Sequence, residues 1–203
     1  ISLGLVGSEM CIRDRTGSVG AQERPTQADG APTLNAQMSG DLVVHDPVII
    51  REGDTYYVFS TVGRYVGIKT SKDLKTWKDA GSVFAEIPAW ARQAVPGTEG
   101  IWAPDISYVN GEYRLYYSVS TFGSNRSAIG LATSKTLDPK AKGYGWKDQR
   151  LVVMSTHDDD FNAIDPNFVQ DDQGRQWLSL GSFWSGIKLL SLIHISEPTR
   201  PRL

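Results

Sequence analysis

Cysteine is almost absent from this chain, since Cys11 is the only one among 203 residues. A single cysteine cannot form an intramolecular disulfide, so the sequence excludes a small domain held together by disulfides. Cys11 also lies in an N-terminal stretch that differs in character from the rest of the chain. We therefore expect neither a disulfide framework nor a thiol nucleophile in the folded part.

Long apolar runs and a strong net charge are also lacking. No run approaches the roughly 20 apolar residues that cross a bilayer as a helix. Lysine and arginine number 21 against 23 aspartate and glutamate, a formal net charge of −2. That balance gives no electrostatic reason to expect nucleic acid as a partner. The sequence thus predicts a protein with neither a membrane nor a nucleic-acid partner.

The two ends of the chain resemble translated sequencing-adapter DNA. EMCIRD near the N-terminus and LIHISEPT near the C-terminus match the two strands of one transposon-end oligonucleotide. Such segments are set aside before the fold is interpreted. We therefore divide the chain into an adapter-like segment 1–15, a linker or N-terminal arm 16–40, a partial catalytic domain 41–189 and a second adapter-like segment 190–203.

From Asp41 onward the pattern is that of an all-β protein. Short runs rich in β-branched and aromatic residues alternate with turns that contain glycine, asparagine and aspartate. In VVHDPVIIREGDTYYVFST an apolar strand, a turn at Gly53-Asp54 and an aromatic strand follow one another. No stretch has a convincing amphipathic helical period, so the sequence predicts no helix.

Three segments repeat the same pattern. They are HDPVIIREGDTYYVFST, APDISYVNGEYRLYYSVS and IDPNFVQDDQGRQWLSLGS, and their aspartates Asp46, Asp105 and Asp165 are 59 and 60 positions apart. A repeat near 60 residues with about four strands is typical of a β-propeller blade with long loops. The chain is expected to contain two full blades and the start of a third. Because blades must stack on one another to bury their faces, the chain is expected to be an N-terminal fragment of a closed propeller.

Two aspartates stand where propeller chemistry is expected. Asp46 and Asp165 each precede a proline at the start of a blade's innermost strand, and these starts converge at one mouth of the central channel. The proline is expected to hold the preceding aspartate in an extended conformation. Paired carboxylates around one bond are the groups that cleave glycosidic linkages. Asp105 follows its proline and is expected to be displaced by one position.

The ordered motifs resemble glycoside hydrolase family 43, and within it the endo-arabinanases. The motifs are HDP, WAPD, SVSTFGSNRSAIGLATS, NAIDPNF and GSFWSGIKL, which span about residues 40–189. The resemblance implies a five-bladed β-propeller that hydrolyses α-1,5-linked arabinan internally with inversion. It implies Asp46 as general base and Asp165 as the carboxylate that tunes the pKa of the acid. The resemblance also implies a glutamate of the following blade as general acid, but no residue here matches it, so this chain is expected to be inactive.

The same resemblance implies a set of substrate-binding residues and a cellular setting. These residues are Trp102, Gly123, Asn162, Ala163, Ile164, Ser182, Phe183 and Trp184. His45 is expected to be either a ligand contact or a hydrogen-bonded neighbour of Asp46, and the second role is favoured. Because a wall polysaccharide cannot enter a cell intact, an extracellular or periplasmic monomer is expected. No metal or cofactor is expected in this segment, although a calcium ion is possible in the full-length protein. The acidic run 158–160 predicts a solvated loop, because calcium ligands normally alternate with other residues.

Two other functions fit the sequence. One is a β-xylosidase or exo-arabinofuranosidase of the same family, which differs in the loops that close one end of the cleft and in later blades. The other is a propeller that binds carbohydrate without cleaving it, in which binding survives Asp46→Ala. The motif GSFWSGIKL favours the arabinanase.

Overall fold

The computed structural model describes residues 37–192. The adapter-like segment 1–15, most of the arm 16–40 and the last residues 193–203 lie outside the described residues. The predictions made for those segments therefore stay predictions. No helix within the described range is long and apolar enough to cross a membrane.

The first sheet is built from four antiparallel strands and one short parallel strand. The strands are β1 (Ser39–Gly40), β2 (Val48–Glu52), β3 (Thr55–Ser60), β4 (Gly67–Ser71) and β5 (Thr76–Ser82). They lie in the order β1-β5-β4-β3-β2, and β1 pairs in parallel with β5. The predicted turn between β2 and β3 is confirmed, with Gly53 at a φ of 58° that glycine adopts without steric cost.

The second and third sheets repeat the first. The second contains β6 (Trp102–Val109), β7 (Glu112–Val119), β8 (Ser127–Ser134) and β9 (Lys147–Ser155) in sequence order. The third contains β10 (Asn167–Gln170), β11 (Gln176–Leu180) and β12 (Lys188–Ser191). The predicted three-fold repeat of antiparallel blades is therefore confirmed. Strand β12 extends two residues past the expected boundary at Leu189, because Leu190 and Ser191 pair with Leu178 and Trp177 of β11.

The prediction of no helix is wrong in one place. Helix α1 (Ala89–Ala94) lies between β5 and β6 and begins after Pro88, with Ala91 buried. Six residues are too few to show a helical period in the sequence. The helix is fixed by tertiary contact, since the indole Nε1 of Trp90 donates a hydrogen bond of 2.9 Å to Oδ2 of Asp148 at the start of β9.

Two apolar clusters hold the sheets together, and strand β7 contributes to both. Leu115 and Tyr117 pack in one cluster with Phe59 of the first blade. Tyr116, which lies between them in sequence, packs in the other cluster with Leu178 of the third blade. Successive residues of a strand face opposite sides of the sheet. The middle blade is therefore buried on both faces, as the stacking of propeller blades requires.

Candidate active site

The two aspartates singled out from the sequence lie at the same end of the sheets. Asp46 stands two residues before β2 and Asp165 two residues before β10. The strands β2 and β10 that follow these aspartates both contact β6 of the middle sheet. The negative charge of Asp46 contributes to a raised pKa of Asp165, so the two carboxylates are close enough to interact.

The pre-proline residue of each blade has an unusual backbone. The φ angles of Asp46, Ala103 and Asp165 are 48°, 40° and 53°. The prediction that proline holds the preceding aspartate extended is therefore wrong for both Asp46 and Asp165, and Ala103 has the same conformation. A non-glycine residue at such a φ costs about 1–3 kcal/mol and persists only where surrounding contacts impose it. Inter-blade hydrogen bonds to the N–H groups of Ala103 and Asp165 are such contacts.

Ala103 occupies in the second blade the place of the two aspartates. The strand register pairs Val48 with Phe59, Asp105 with Tyr116 and Asn167 with Ser179. Asp105 therefore matches Val48, two positions beyond Asp46. The expected displacement of one position is wrong, because the proline and not the aspartate is the fixed point of the repeat.

Asp105 links two blades. Its side chain is buried, and its carboxylate accepts hydrogen bonds from the backbone N–H of Phe168 at 2.7 Å and from Nδ2 of Asn167 at 3.3 Å. Desolvation raises the pKa of Asp105, and the two hydrogen bonds oppose that shift. These hydrogen bonds between blades give Asp105 a structural role.

Asp46 is held through only one of its two carboxylate oxygens. Oδ2 accepts a hydrogen bond of 2.9 Å from Oγ1 of Thr61 and lies 3.0 Å from Nδ1 of His45. Oδ1 has no hydrogen-bond donor among residues 37–192. His45 is thus a neighbour of Asp46, as expected, and its side chain is 75% exposed. A carboxylate fixed on one oxygen and open on the other can accept a proton from a water molecule.

The surroundings of Asp165 differ from those of Asp46. Its backbone N–H donates to Oγ of Ser118 at 2.9 Å, and its side chain is exposed. Partial desolvation is the largest cause of its raised pKa, the charge of Asp46 adds to it, and His45 opposes it. Solvent tempers all three effects at an exposed carboxylate.

The charges around Asp165 predict opposite shifts of its pKa in two variants. Asp46→Asn removes a negative charge, so the pKa of Asp165 should fall while staying above its ordinary value, because desolvation remains. His45→Gln removes the group that opposes these effects, so the pKa of Asp165 should rise. Carbon-13 NMR of the labelled carboxyl groups measures both. Shifts of the same sign in the two variants would contradict this electrostatic description.

Aromatic side chains stand exposed in the loops beside the carboxylates. Phe183 and Trp184 are 86% and 47% exposed in the loop between β11 and β12. Phe122, beside Gly123 in the corresponding β7–β8 loop, is fully exposed, and the sequence analysis did not select it. Phe122 follows the end of β7 by three residues, as Phe183 follows the end of β11. This match between the two blades is the signal by which the sequence could have identified Phe122. Exposed apolar faces of this kind are suited to stacking against sugar rings.

The remaining predicted substrate contacts are less accessible. Trp102, Ile164 and Ser182 are half-buried, whereas Asn162 and Ala163 are 3% and 0% exposed. Ala163 packs in the apolar core and its N–H donates to Oγ of Ser155 at 2.9 Å. Asn162 and Ala163 therefore support the turn that carries Asp165 and do not reach the exposed surface.

The acidic run at residues 158–160 forms part of a turn. Oδ2 of Asp159 accepts hydrogen bonds from the backbone N–H and the hydroxyl of Thr156, and these bonds lower the pKa of Asp159. Asp160 lies 3.6 Å from Nζ of Lys188. Within residues 37–192 no three histidine, cysteine, aspartate or glutamate side chains form a group that could hold a metal ion.

Comparison with known proteins finds a matching family model and several similar proteins. A model of the family "Glycosyl hydrolases family 43" matches residues 40–200. The extracellular exo-α-(1→5)-L-arabinofuranosidase ArbA of Cellvibrio japonicus is 46% identical over 162 residues, which are 78% of this chain and 46% of that protein. The extracellular endo-α-(1→5)-L-arabinanase 1 of Bacillus subtilis is 46% identical over 154 residues, 74% of this chain and 46% of that protein.

Solved structures share the fold. An α-L-arabinanase from Cellvibrio cellulosa, in complex with arabinohexaose, superposes with a TM-score of 0.74 and 46% identity over 77% of this chain and 50% of its own. These neighbours are five-bladed β-propellers, so the described sheets are blades of that fold. The chain spans about half the length of the curated relatives it matches.

Proposed function

Because this chain belongs to glycosyl hydrolases family 43, we propose that the whole protein hydrolyses α-1,5-linked arabinan internally, with inversion at the anomeric carbon. The observation that carries the proposal is Asp46, which is fixed at Oδ2, open at Oδ1 and placed beside Asp165. The relatives named for arabinan cleavage support the choice of substrate.

In the proposed reaction Asp46 is the general base. Its Oδ1 takes a proton from a water molecule whose oxygen attacks the anomeric carbon of one arabinose unit. The bond from that carbon to the oxygen of the next sugar breaks on the opposite face, and a general acid gives that oxygen a proton. Base and acid in such a reaction stand roughly 6.5–9.5 Å apart, which leaves room for the water. No residue of this chain is assigned as the general acid.

Asp165 is proposed to act on the general acid through its charge. A carboxylic acid must stay protonated near neutral pH to donate its proton, and a nearby negative charge raises its pKa. The same rule operates between Asp46 and Asp165, where the charge of one carboxylate raises the pKa of the other. This role needs charge and proximity but no bond to the substrate.

The exposed aromatic rings are proposed as sugar platforms. Phe183 and Trp184 stand in a loop closed by the N–H of Gly186, which donates to the carbonyl of Phe183 at 2.7 Å. A loop that is already held by its own hydrogen bond loses less conformational entropy when a sugar ring stacks on it. The loop begins beside the segment that carries Asp165, because the N–H of Gly181 donates to the carbonyl of Ile164 at 2.9 Å. No step of the proposal uses a metal ion, and a calcium ion elsewhere in the full-length protein remains a proposal.

We place the protein outside the cytoplasm and propose that it works as a monomer. Its substrate is a polymer of plant cell walls, and two relatives are named as extracellular. Export follows from the size of the substrate, because a polysaccharide has to be shortened before uptake.

The products of digestion test the proposal. The protein encoded by the complete gene is incubated with linear arabinan, and products are followed by chromatography over time. Internal cleavage predicts an early mixture of oligosaccharides and a rapid fall in polymer size. Exo-action is the second candidate, because a relative of equal identity is an exo-arabinofuranosidase. It predicts one short product and a slow fall in polymer size. No release of products from arabinan would refute both candidates.

A further inference from the structure

Thr61 joins the proposed base to the neighbouring blade. Its Oγ1 accepts a hydrogen bond of 2.7 Å from the backbone N–H of Ala103 and donates one of 2.9 Å to Oδ2 of Asp46. Its own N–H donates to the carbonyl of His45 at 2.8 Å. A hydroxyl has a single hydrogen to donate. Because Ala103 fills an acceptor site, the hydrogen of Thr61 is directed to Asp46.

The same link recurs one blade further on. Ser118 occupies the place of Thr61, since it pairs with Trp102 as Thr61 pairs with His45. Its Oγ accepts the N–H of Asp165 at 2.9 Å. Each hydroxyl therefore holds the pre-proline residue of the next blade at its positive φ. Thr61 differs in one respect, because its own blade carries an aspartate within reach while the second blade carries alanine.

From this arrangement we infer that Thr61 is a positioning residue for the proposed reaction: it fixes Oδ2 of Asp46 and thereby turns Oδ1 toward the attacking water. The inference rests on the proposed function. Without the hydroxyl, the carboxylate of Asp46 is free to rotate about its side-chain torsions. The contact with His45 is a weaker restraint on Asp46, because the imidazole is largely exposed to solvent.

The chemistry predicts a loss in the catalytic step and little loss in binding. Thr61→Val keeps the branched shape and removes the hydroxyl. Since hydrogen bonds to charged groups are among the stronger ones, kcat should fall about 10–100-fold. KM for arabino-oligosaccharides should change less than about twofold, because the hydroxyl of Thr61 is already engaged by Ala103 and Asp46. Thr61→Ser restores the hydroxyl and should bring kcat back to within about threefold of the wild type.

The experiment compares wild type, Thr61→Val, Thr61→Ser and Asp46→Asn in the protein encoded by the complete gene. It measures kcat and KM on linear arabino-oligosaccharides and the melting temperature of each variant. If Thr61→Val does not fold, Thr61→Ala takes its place. The inference is supported if the variant without the hydroxyl loses kcat at unchanged KM and serine rescues it.

Two results would overturn the inference. One is an unchanged kcat in Thr61→Val. The other is an equal loss in Thr61→Ser and Thr61→Val, which would show that the shape of threonine matters and its hydroxyl does not. A fully active Asp46→Asn is a different failure, because it would refute the proposed function itself. The serine rescue and the Asp46 variant thus separate the two claims.

Discussion

Asp46→Asn in the full-length protein is expected to lower kcat on linear arabinan by about 10²–10⁴-fold, the contribution of a positioned general base. The amide has nearly the shape of the carboxylate and can still accept a hydrogen bond from Thr61 through its oxygen. It cannot take a proton from water at neutral pH. Binding of arabino-oligosaccharides should therefore survive, and isothermal calorimetry together with steady-state kinetics measures the two effects separately.

Asp54→Asn is the matched control for this variant. Asp54 lies at the opposite end of the hairpin of β2 and β3 and contacts Lys72 and Thr55 on the surface. Exposed ion pairs contribute about 0–1 kcal/mol, so this change should leave kcat and KM unaltered. Equal activity in Asp46→Asn and Asp54→Asn would mean that Asp46 is not the base. Loss of binding in Asp46→Asn would indicate a structural role.

Asp165→Asn is expected to reduce kcat by about 10²-fold and to narrow the pH profile of activity from its alkaline side. The variant removes the negative charge that is proposed to keep the general acid protonated. The pKa of that acid should then fall, and activity should decline at a lower pH than in the wild type. The profile of kcat against pH, which reports groups in the enzyme–substrate complex, shows this shift directly.

The control for this second variant is Asp172→Asn. Asp172 is exposed in the turn between β10 and β11, at the far end of the same blade from Asp165. Asp172→Asn changes the net charge by the same amount as Asp165→Asn, but it does not alter the electric field at the active site. An alkaline limb that stays in place in Asp165→Asn would contradict the proposed electrostatic role, even if kcat falls.

The repeat made the fold predictable. Alternating strands, turns such as Gly53-Asp54 and a repeat length near 60 residues were enough to identify successive antiparallel blades. These features are local or periodic, so they can be recognised in the amino-acid sequence alone. The alternation of a strand also explains why the consecutive residues Tyr116 and Tyr117 lie in different apolar clusters. Neighbouring residues of a strand that is buried on both faces point to opposite sides of the sheet.

The details of the site depend on contacts between blades and escaped prediction. The positive φ of Asp46 and Asp165 opposes the usual preference of a residue before proline. It is imposed by distant partners such as Ser118, which lies 47 positions from Asp165. Thr61 is equally inconspicuous, as one threonine at the end of a strand. Nothing in its neighbourhood indicates that it bonds to Ala103 in the next blade.

The stereochemistry of the first product is the most direct test of the central claim, that Asp46 acts as a base on water. Proton NMR of a fresh digest of α-linked arabino-oligosaccharides by the full-length protein resolves the anomers of the new reducing end before they equilibrate. The proposal predicts that the β-anomer appears first, since water attacks opposite the leaving group. Initial appearance of the α-anomer would contradict it, because retention requires a carboxylate that attacks the sugar itself.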